Sequence, residues 1–125
     1  NEAGLKPDEI DFINAHGTAT PVGDRTETRA LKLSLGKTAY SIPVTSAKSM
    51  SGHMLAASGA FEAALTLMSM LESVIPPMIH LKERDPECDL DYVTEVRKSD
   101  VKNALSNSFG FGGVNAVLVF RKLKV

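Results

Sequence analysis

Two histidines in this sequence stand where an imidazole can take part in chemistry. His16 ends an apolar run and precedes Gly17, whose small size lets a ligand approach closely. The hydroxyl side chains of Thr18 and Thr20 follow directly. Imidazole is the side chain best suited to acid–base work near neutral pH. This setting strengthens the case for a catalytic loop. Two plainer interpretations stay open at this point: a structural or solvent-exposed histidine, and threonines that only cap the loop.

The second histidine, His53, follows the segment KSMSG and opens a long apolar stretch. The sequence therefore predicts that it lies at the N-terminus of a helix, where the helix dipole disfavours a positive charge. A neutral imidazole donates a hydrogen bond without carrying charge, which suits stabilisation of a developing oxyanion. A histidine that merely caps the helix is the plainer interpretation, and this position taken alone favours it.

A carboxylate, Glu62, lies in the middle of the same apolar stretch. A buried carboxylate without a partner is costly, so it needs a cation or several hydrogen-bond donors. Lys48, which precedes His53 in a predicted loop, is the nearest candidate. We therefore predict that Lys48 and Glu62 interact, directly or through one shared partner. A small water-filled gap beside Glu62 is the alternative.

The sequence offers no activated nucleophile to accompany these groups. Its one cysteine, Cys88, is flanked by two carboxylates, which disfavour a thiolate. The glycine-rich turn at 108–113 contains Phe109 and Phe111, but its glycine spacing is not that of a phosphate-binding loop. A phenylalanine in such a turn fits either a mobile gate over a pocket or simple core packing. The residues thus suggest acid–base catalysis and stabilisation of an oxyanion.

Apolar patterning predicts the strands that position these side chains. A buried strand over 10–15 ends at His16, and a β-branched segment around Pro43 predicts a second strand. Two apolar runs, 103–107 and 114–120, flank the glycine-rich turn and predict an antiparallel hairpin. Strands that alternate with helices indicate an α/β layered domain.

Two helices are predicted between the strands. The first covers 23–36, with Asp24 as its N-cap and Glu27 three residues later, as in a capping box. The second covers 52–73 and is apolar nearly all the way round, which predicts burial on every side. A membrane span is the alternative, and the charge of Glu62 at its middle disfavours it.

Composition excludes several classes of function. The 125 residues carry a net charge of −1 and a pI near 6.3, so neither nucleic acid nor a membrane is indicated as a partner. A single cysteine excludes an internal disulfide framework and a cysteine zinc cluster; no metal is expected, and a cytoplasmic location fits. The sequence begins at Asn1 without a methionine, from which we expect a fragment of a longer protein.

Three motifs in order, AHGTATPVGDRTE, KSMSGHMLAASGA and NSFGFGGVNA, resemble the C-terminal half of a β-ketoacyl-acyl carrier protein synthase. The resemblance covers essentially the whole chain and is closest to the type II enzymes of bacterial fatty acid synthesis. Polyketide ketosynthases usually carry a glycine and no proline in the histidine loop, and KSNIGH at the second histidine. Thiolases carry a catalytic cysteine near the C-terminal glycine turn, which is absent here.

This resemblance implies a thiolase-like fold, in which two similar α/β halves form α-β-α-β-α layers, with 1–125 as the C-terminal domain. It also implies a decarboxylative Claisen condensation. An acyl group passes from acyl carrier protein to a cysteine. Malonyl-acyl carrier protein then loses CO₂, and its carbanion attacks the acyl thioester.

The resemblance assigns roles to three groups of side chains. The catalytic group is His16, His53 and Lys48. The supporting polar network around the lysine is Glu62, Asp24 and Glu27. The substrate-binding group is Thr18 and Thr20 on the pantetheine arm, Phe111 as the gate, and Phe109 beside it.

The implied partners are acyl carrier protein carrying acyl and malonyl groups, the N-terminal half of the same enzyme, and a second copy in a homodimer. No cofactor is implied, because the pantetheine arm belongs to the substrate. The nucleophilic cysteine of the family lies in the N-terminal half, so this chain by itself is predicted to be inactive. The alternatives are a polyketide ketosynthase domain and a non-catalytic partner that sets chain length; the presence of both histidines and Lys48 disfavours the latter.

Overall fold

Strands and helices alternate in the N-terminal part of the chain, as the apolar pattern predicts, and strands alone follow the last helix among the described residues. The structure is a computed structural model and describes residues 3–123. The helices are α1 (Pro21–Leu35), α2 (Lys48–Ser51) and α3 (Ser58–Glu72). The strands are β1 (Phe12–Asn14), β2 (Pro43–Thr45), β3 (Val74–Ile75), β4 (Asp91–Tyr92), β5 (Arg97–Lys98), β6 (Asn103–Phe109) and β7 (Asn115–Arg121). Short 3₁₀ turns cover Pro7–Glu9, Gly36–Ser41 and Leu55–Ala57.

Five strands form one sheet in the order β4-β2-β1-β6-β7. β1 is parallel to both β2 and β6, and β7 returns antiparallel to β6, which confirms the predicted hairpin. β3 and β5 form a separate antiparallel pair. The carboxyl ends of β1, β2 and β6 therefore open on one edge of the sheet, where ligands bind in open α/β sheets.

Adjacent residues of β1 point to opposite faces of the sheet and so belong to two different apolar clusters. Ile13 packs with Leu31 of α1 and Val44 of β2. Phe12 packs on the other face with Met70 of α3 and Ala104 of β6, and its side chain is fully buried. One helix thus covers each face, which gives an α-β-α arrangement.

Helix α1 begins one turn earlier than its predicted cap. Thr20 is the N-cap: its hydroxyl accepts a hydrogen bond from the Gly23 amide at 3.2 Å, and Pro21 occupies the first helical position. Proline is favoured there because its missing N–H would be unpaired in any case. The prediction that Asp24 caps this helix is therefore wrong, and Asp24 lies in the first turn. Gly36 ends the helix at a φ of 61°, as predicted.

The long apolar stretch is not one helix. Lys48 lies on the short helix α2 rather than in a loop, and Gly52 ends that helix with a φ of 69°. Leu55 also has a positive φ, of 52°, so the chain cannot continue as an α-helix before Ser58. His53 consequently lies in the connection between α2 and α3, and its predicted position at a helix N-terminus is wrong.

Helix α3 turns its polar side toward the sheet. The buried side chains are almost all polar, namely Ser58, Glu62, Thr66 and Ser69. The apolar side chains of Phe61, Leu67, Met68 and Leu71 are exposed. The expectation of burial on every side is therefore wrong for the described part of the chain. Within residues 3–123, no helix is long and apolar enough to cross a membrane.

Further apolar side chains are exposed on β7, where Val117 and Leu118 are each about half accessible. Because neighbouring residues of a strand point to opposite faces of the sheet, these two side chains and the outer face of α3 leave apolar area uncovered on different sides of the described part of the chain. Surfaces of this kind mark an interface with another protein segment.

The isolated chain is expected to bind an apolar fluorescent dye and to elute larger than a 13.4 kDa monomer, because these surfaces avoid water by association. Leu71→Glu on α3 is expected to lower dye binding. Leu33→Glu is the matched control, because Leu33 is similarly exposed and lies on a different helix, α1. Size-exclusion chromatography and dye fluorescence give the measurement, and a well-behaved monomer without dye binding would contradict the expectation.

Candidate active site

The loop that follows β1 meets the loop that follows β2. Gly17 has a φ of 42°, and a Cβ atom placed on it would lie 2.6 Å from the Cβ of Ser46. The Ser46 hydroxyl donates to the Gly17 carbonyl at 3.0 Å. Only glycine permits this approach, which puts His16 beside the start of α2.

Glu27 anchors the backbone of the histidine loop. Its Oε1 accepts from the His16 amide and its Oε2 from the Gly17 amide, each at 2.9 Å. Asn107 of β6 donates its side-chain amide to Oε1, also at 2.9 Å. This buried carboxylate thus fixes His16 through main-chain atoms. Sequence reasoning missed Asn107, which lies 80 residues away and follows no local pattern.

Lys48 and Glu62 form a buried ion pair, as predicted. Their side chains are only 5% and 2% exposed. Of the three carboxylates expected around the lysine, only Glu62 contacts it among the described residues. Glu27 is engaged with the loop backbone instead, and Asp24 lies beside Glu27, where burial and then the charge of Glu27 raise its pKa.

His16 is electrically neutral at physiological pH. Burial lowers its pKa to about 4, with smaller contributions from the charges of Lys48 and His53. The Lys48 ammonium lies 3.4 Å from His16 Nδ1, and an ammonium group can only donate. Nδ1 is therefore the acceptor, and the ring proton is on Nε2.

His53 has the same tautomer for a different reason. Its Nδ1 accepts from the Leu55 amide at 3.0 Å and lies 3.1 Å from the Ser58 hydroxyl. A backbone N–H can only donate, so Nδ1 carries no proton and the ring proton is on Nε2. Local hydrogen bonds, rather than a helix dipole, thus fix the ring.

The two imidazoles face each other edge to face, with ring centroids 5.7 Å apart. Phe109, at the end of β6, packs on His16 at 5.6 Å. Phe111 lies at the tip of the hairpin and is fully exposed, away from both rings. The structure therefore brings His16, His53, Lys48 and Phe109 together, and it leaves Phe111 apart from them.

An open cavity of about 660 Å³ lies beside this group. Its wall includes His53, Lys48, Asp24, Thr18 and Thr20, whereas His16 and Phe109 do not line it. The Thr18 and Thr20 hydroxyls are 3.3 Å apart, and the latter also caps α1, so the plainer interpretation as a loop cap holds for Thr20. Two neutral rings with Nε2–H donors beside a cavity can stabilise negative charge on a carbonyl oxygen.

Comparison with known proteins identifies relatives of this arrangement. Residues 1–82 match the family described as the β-ketoacyl synthase C-terminal domain. The 3-oxoacyl-[acyl-carrier-protein] synthase 2 of Synechocystis is 56% identical over 122 residues, which are 97% of this chain and 29% of that protein. The protein of the same name from Staphylococcus aureus is 48% identical, over 99% of this chain and 30% of the relative.

Solved structures give the same result. A β-ketoacyl synthase from Burkholderia phymatum has a TM-score of 0.91 and 40% identity over 98% of this chain and 30% of its own. A ketosynthase in complex with its type II polyketide acyl-carrier protein, bound to the hexaketide, has a TM-score of 0.95 and 37% identity over the same shares. The thiolase-like α/β fold is confirmed. The chain spans about three tenths of the length of these relatives.

Glu27→Ala is expected to lower the free energy of unfolding by about 2–4 kcal/mol, because three N–H donors lose a charged acceptor. Glu87→Ala is the control, since the side chain of that exposed carboxylate pairs with Arg25 on the surface and such pairs contribute little to stability. Urea unfolding followed by circular dichroism gives the measurement. Equal effects of the two substitutions would contradict the anchoring role.

The ring of His16 is expected to titrate near pH 4 in the folded protein, with its pKa lowered mainly by burial. In the unfolded chain the same ring is protonated near pH 6.5. Between pH 6.5 and about pH 4 the unfolded chain therefore binds more protons than the folded protein, and the folded state loses stability as the pH falls through this range. The double substitution Lys48→Met and Glu62→Gln removes the adjacent cation without leaving a lone carboxylate. It is expected to raise the midpoint of the His16 titration. NMR titration of the ring gives both values, and a midpoint of 6.5 in the unchanged protein would overturn the assignment.

Proposed function

This chain belongs to the β-ketoacyl synthase family, and we propose that it is the C-terminal part of a 3-oxoacyl-acyl carrier protein synthase of fatty acid biosynthesis. The intact enzyme is an acyltransferase that condenses an acyl thioester with malonyl-acyl carrier protein and releases CO₂. The observation that carries the proposal is the pair of neutral imidazoles, 5.7 Å apart, at the carboxyl edge of the sheet. The high identity of the two curated relatives supports the fatty-acid reaction.

The two histidines act on the malonyl thioester. Loss of CO₂ leaves an enolate whose negative charge is mainly on the thioester oxygen. Nε2–H of His16 and Nε2–H of His53 donate hydrogen bonds to that oxygen, and they favour the enolate over the uncharged carbonyl. Both rings are already in the required tautomer, so no proton has to move before the reaction.

Lys48 supports this step without touching the substrate. Its ammonium donates to Nδ1 of His16 and, together with burial, keeps that ring neutral. Glu62 balances the lysine charge, which would be costly to bury alone. Glu27 positions the same ring through the backbone. Asp24 lies next to Glu27 and the histidine loop rather than next to the Lys48–Glu62 ion pair.

Substrate binding involves the cavity wall and the glycine-rich turn. Thr18 and Thr20 bind the pantetheine arm through their hydroxyls, and Phe109 packs against the reacting end beside His16. Phe111 is the gate, and its exposed position at the hairpin tip leaves it free to move. The enzyme uses no cofactor or metal, since the pantetheine arm enters with the substrate.

The partners of the intact enzyme are acyl carrier protein and the N-terminal half with its nucleophilic cysteine. That cysteine first receives the acyl group, so this chain alone has no condensing activity. A homodimer and a cytoplasmic location complete the proposal. The solved complex of a related ketosynthase with its acyl-carrier protein supports the first partner.

A polyketide ketosynthase is the second candidate, favoured by the high TM-scores to ketosynthases of that class. The two are separated by supplying the full-length protein with acyl- and malonyl-acyl carrier protein but no reductase. A fatty-acid synthase stops at the 3-oxoacyl product after one condensation. A polyketide ketosynthase continues to add unreduced units.

His53→Ala in the full-length enzyme is expected to abolish malonyl decarboxylation and to leave acyl transfer to the cysteine measurable, because the oxyanion on malonyl is absent from the transfer step. Lys98→Ala, which removes an exposed side chain on β5 that does not line the cavity, is the control. Release of CO₂ and labelling of the cysteine by a radioactive acyl group give the two rates. Equal loss of both would contradict this division of roles.

A further inference from the structure

The ring of His53 is oriented by a serine that the proposed mechanism does not use. Ser58, the first residue of α3, places its hydroxyl 3.1 Å from His53 Nδ1. The same hydroxyl accepts from the Met54 amide at 2.8 Å. Ser58 is buried, whereas His53 is exposed on the cavity wall. One side chain thus connects the ring to the backbone that follows it.

The direction of each hydrogen bond is determined by its partners. The Leu55 amide donates to His53 Nδ1, so that nitrogen is an acceptor. The Ser58 oxygen already accepts from Met54, and its own hydrogen is free to point at Nδ1. The Leu55 amide and the Ser58 hydroxyl then share the single lone pair of Nδ1 in a three-centre hydrogen bond, and the Ser58 oxygen satisfies the Met54 amide. The arrangement leaves Nε2–H as the one polar group of the ring free to reach a substrate.

This serine is not an ordinary helix cap. The N-cap of α3 is Ala57, and no side chain caps the helix. The Ser58 hydroxyl instead turns back to Met54, across a turn in which Leu55 has a φ of 52°. Such a conformation is unfavourable for a non-glycine residue and persists only where surrounding contacts enforce it. The hydrogen bonds of His53 and Ser58 span this turn, together with the backbone bond from the Ala57 amide to the Met54 carbonyl at 3.1 Å.

We propose that Ser58 is a positioning residue for His53, and that its hydroxyl holds the ring so that Nε2–H points at the developing oxyanion. The inference rests on the proposed function, because it assigns the serine to the decarboxylation step. Without Ser58, the ring keeps only the Leu55 hydrogen bond and rotates about it. A ring that rotates loses the alignment on which oxyanion stabilisation depends.

The test is Ser58→Ala in the full-length enzyme, with Ser69→Ala as the matched control. Ser69 is a buried serine on the same polar side of α3, and its hydroxyl donates to the Leu65 carbonyl, away from both histidines. Loss of one hydrogen bond of about 1 kcal/mol is expected to slow decarboxylation roughly five- to tenfold. Acyl transfer to the cysteine is expected to stay at the rate of the control. Decarboxylation of Ser58→Ala at the rate of Ser69→Ala would overturn the proposal.

A second measurement observes the His53 ring directly in the unchanged enzyme. Nitrogen-15 NMR of the histidine rings in the unchanged enzyme, assigned with His53→Ala, is expected to show His53 with its proton on Nε2 and a hydrogen-bonded, unprotonated Nδ1. A proton on Nδ1 would overturn the proposal.

The proposed function and the role of the serine fail under different outcomes. If His53→Ala decarboxylates malonyl-acyl carrier protein at the full rate, the proposed function is wrong. If His53→Ala loses decarboxylation but Ser58→Ala does not, only the role of the serine is wrong.

Discussion

The buried ion pair between Lys48 and Glu62 is the contact on which the rest of the arrangement depends. Two opposite charges withdrawn from water are tolerated only when each satisfies the other and polar groups surround them. This requirement explains why α3 turns Glu62 toward Lys48, whereas Thr66 and Ser69 on the same side donate to backbone carbonyls of their own helix. Asn14 of β1 ties this side of α3 to the sheet by donating to the backbone carbonyl of Glu62 at 3.0 Å and to the Thr66 hydroxyl at 3.1 Å. The helix is therefore oriented by polar contacts, and its apolar side is left outward.

The same pair links structure to reactivity. Lys48 contacts both Glu62 and His16, so a charge needed to orient α3 also helps to keep the reactive ring neutral. His53 reaches the identical tautomer through hydrogen bonds of the following turn. Two different sets of contacts thus place the ring proton on Nε2 in both imidazoles, whose centroids are 5.7 Å apart. A site of this kind stabilises negative charge without first having to reorganise.

Sequence patterns predicted the parts of this site that depend on local order and on the cost of burying charge. The strand before His16, the hairpin and the Lys48–Glu62 pair are examples. The cap of α1 was mispredicted because Thr20 with Pro21 competes better than Asp24. The break after His53 was missed because it depends on the left-handed backbone of Leu55, a residue that gives no such signal. The Glu27–Asn107 contact joins positions far apart in sequence, so no local pattern predicts it.

Glu27 holds the histidine loop in place by accepting hydrogen bonds from the backbone amides of His16 and Gly17, and it makes no hydrogen bond to the imidazole. Every amino acid except proline presents the same N–H at position 16, so the loop keeps its shape whatever side chain projects from it. The scaffold and the reactive group are therefore separable in evolution. A change of chemistry at this position, from imidazole to amide for instance, requires a single substitution and no rebuilding of the strand, the loop or the helix behind it.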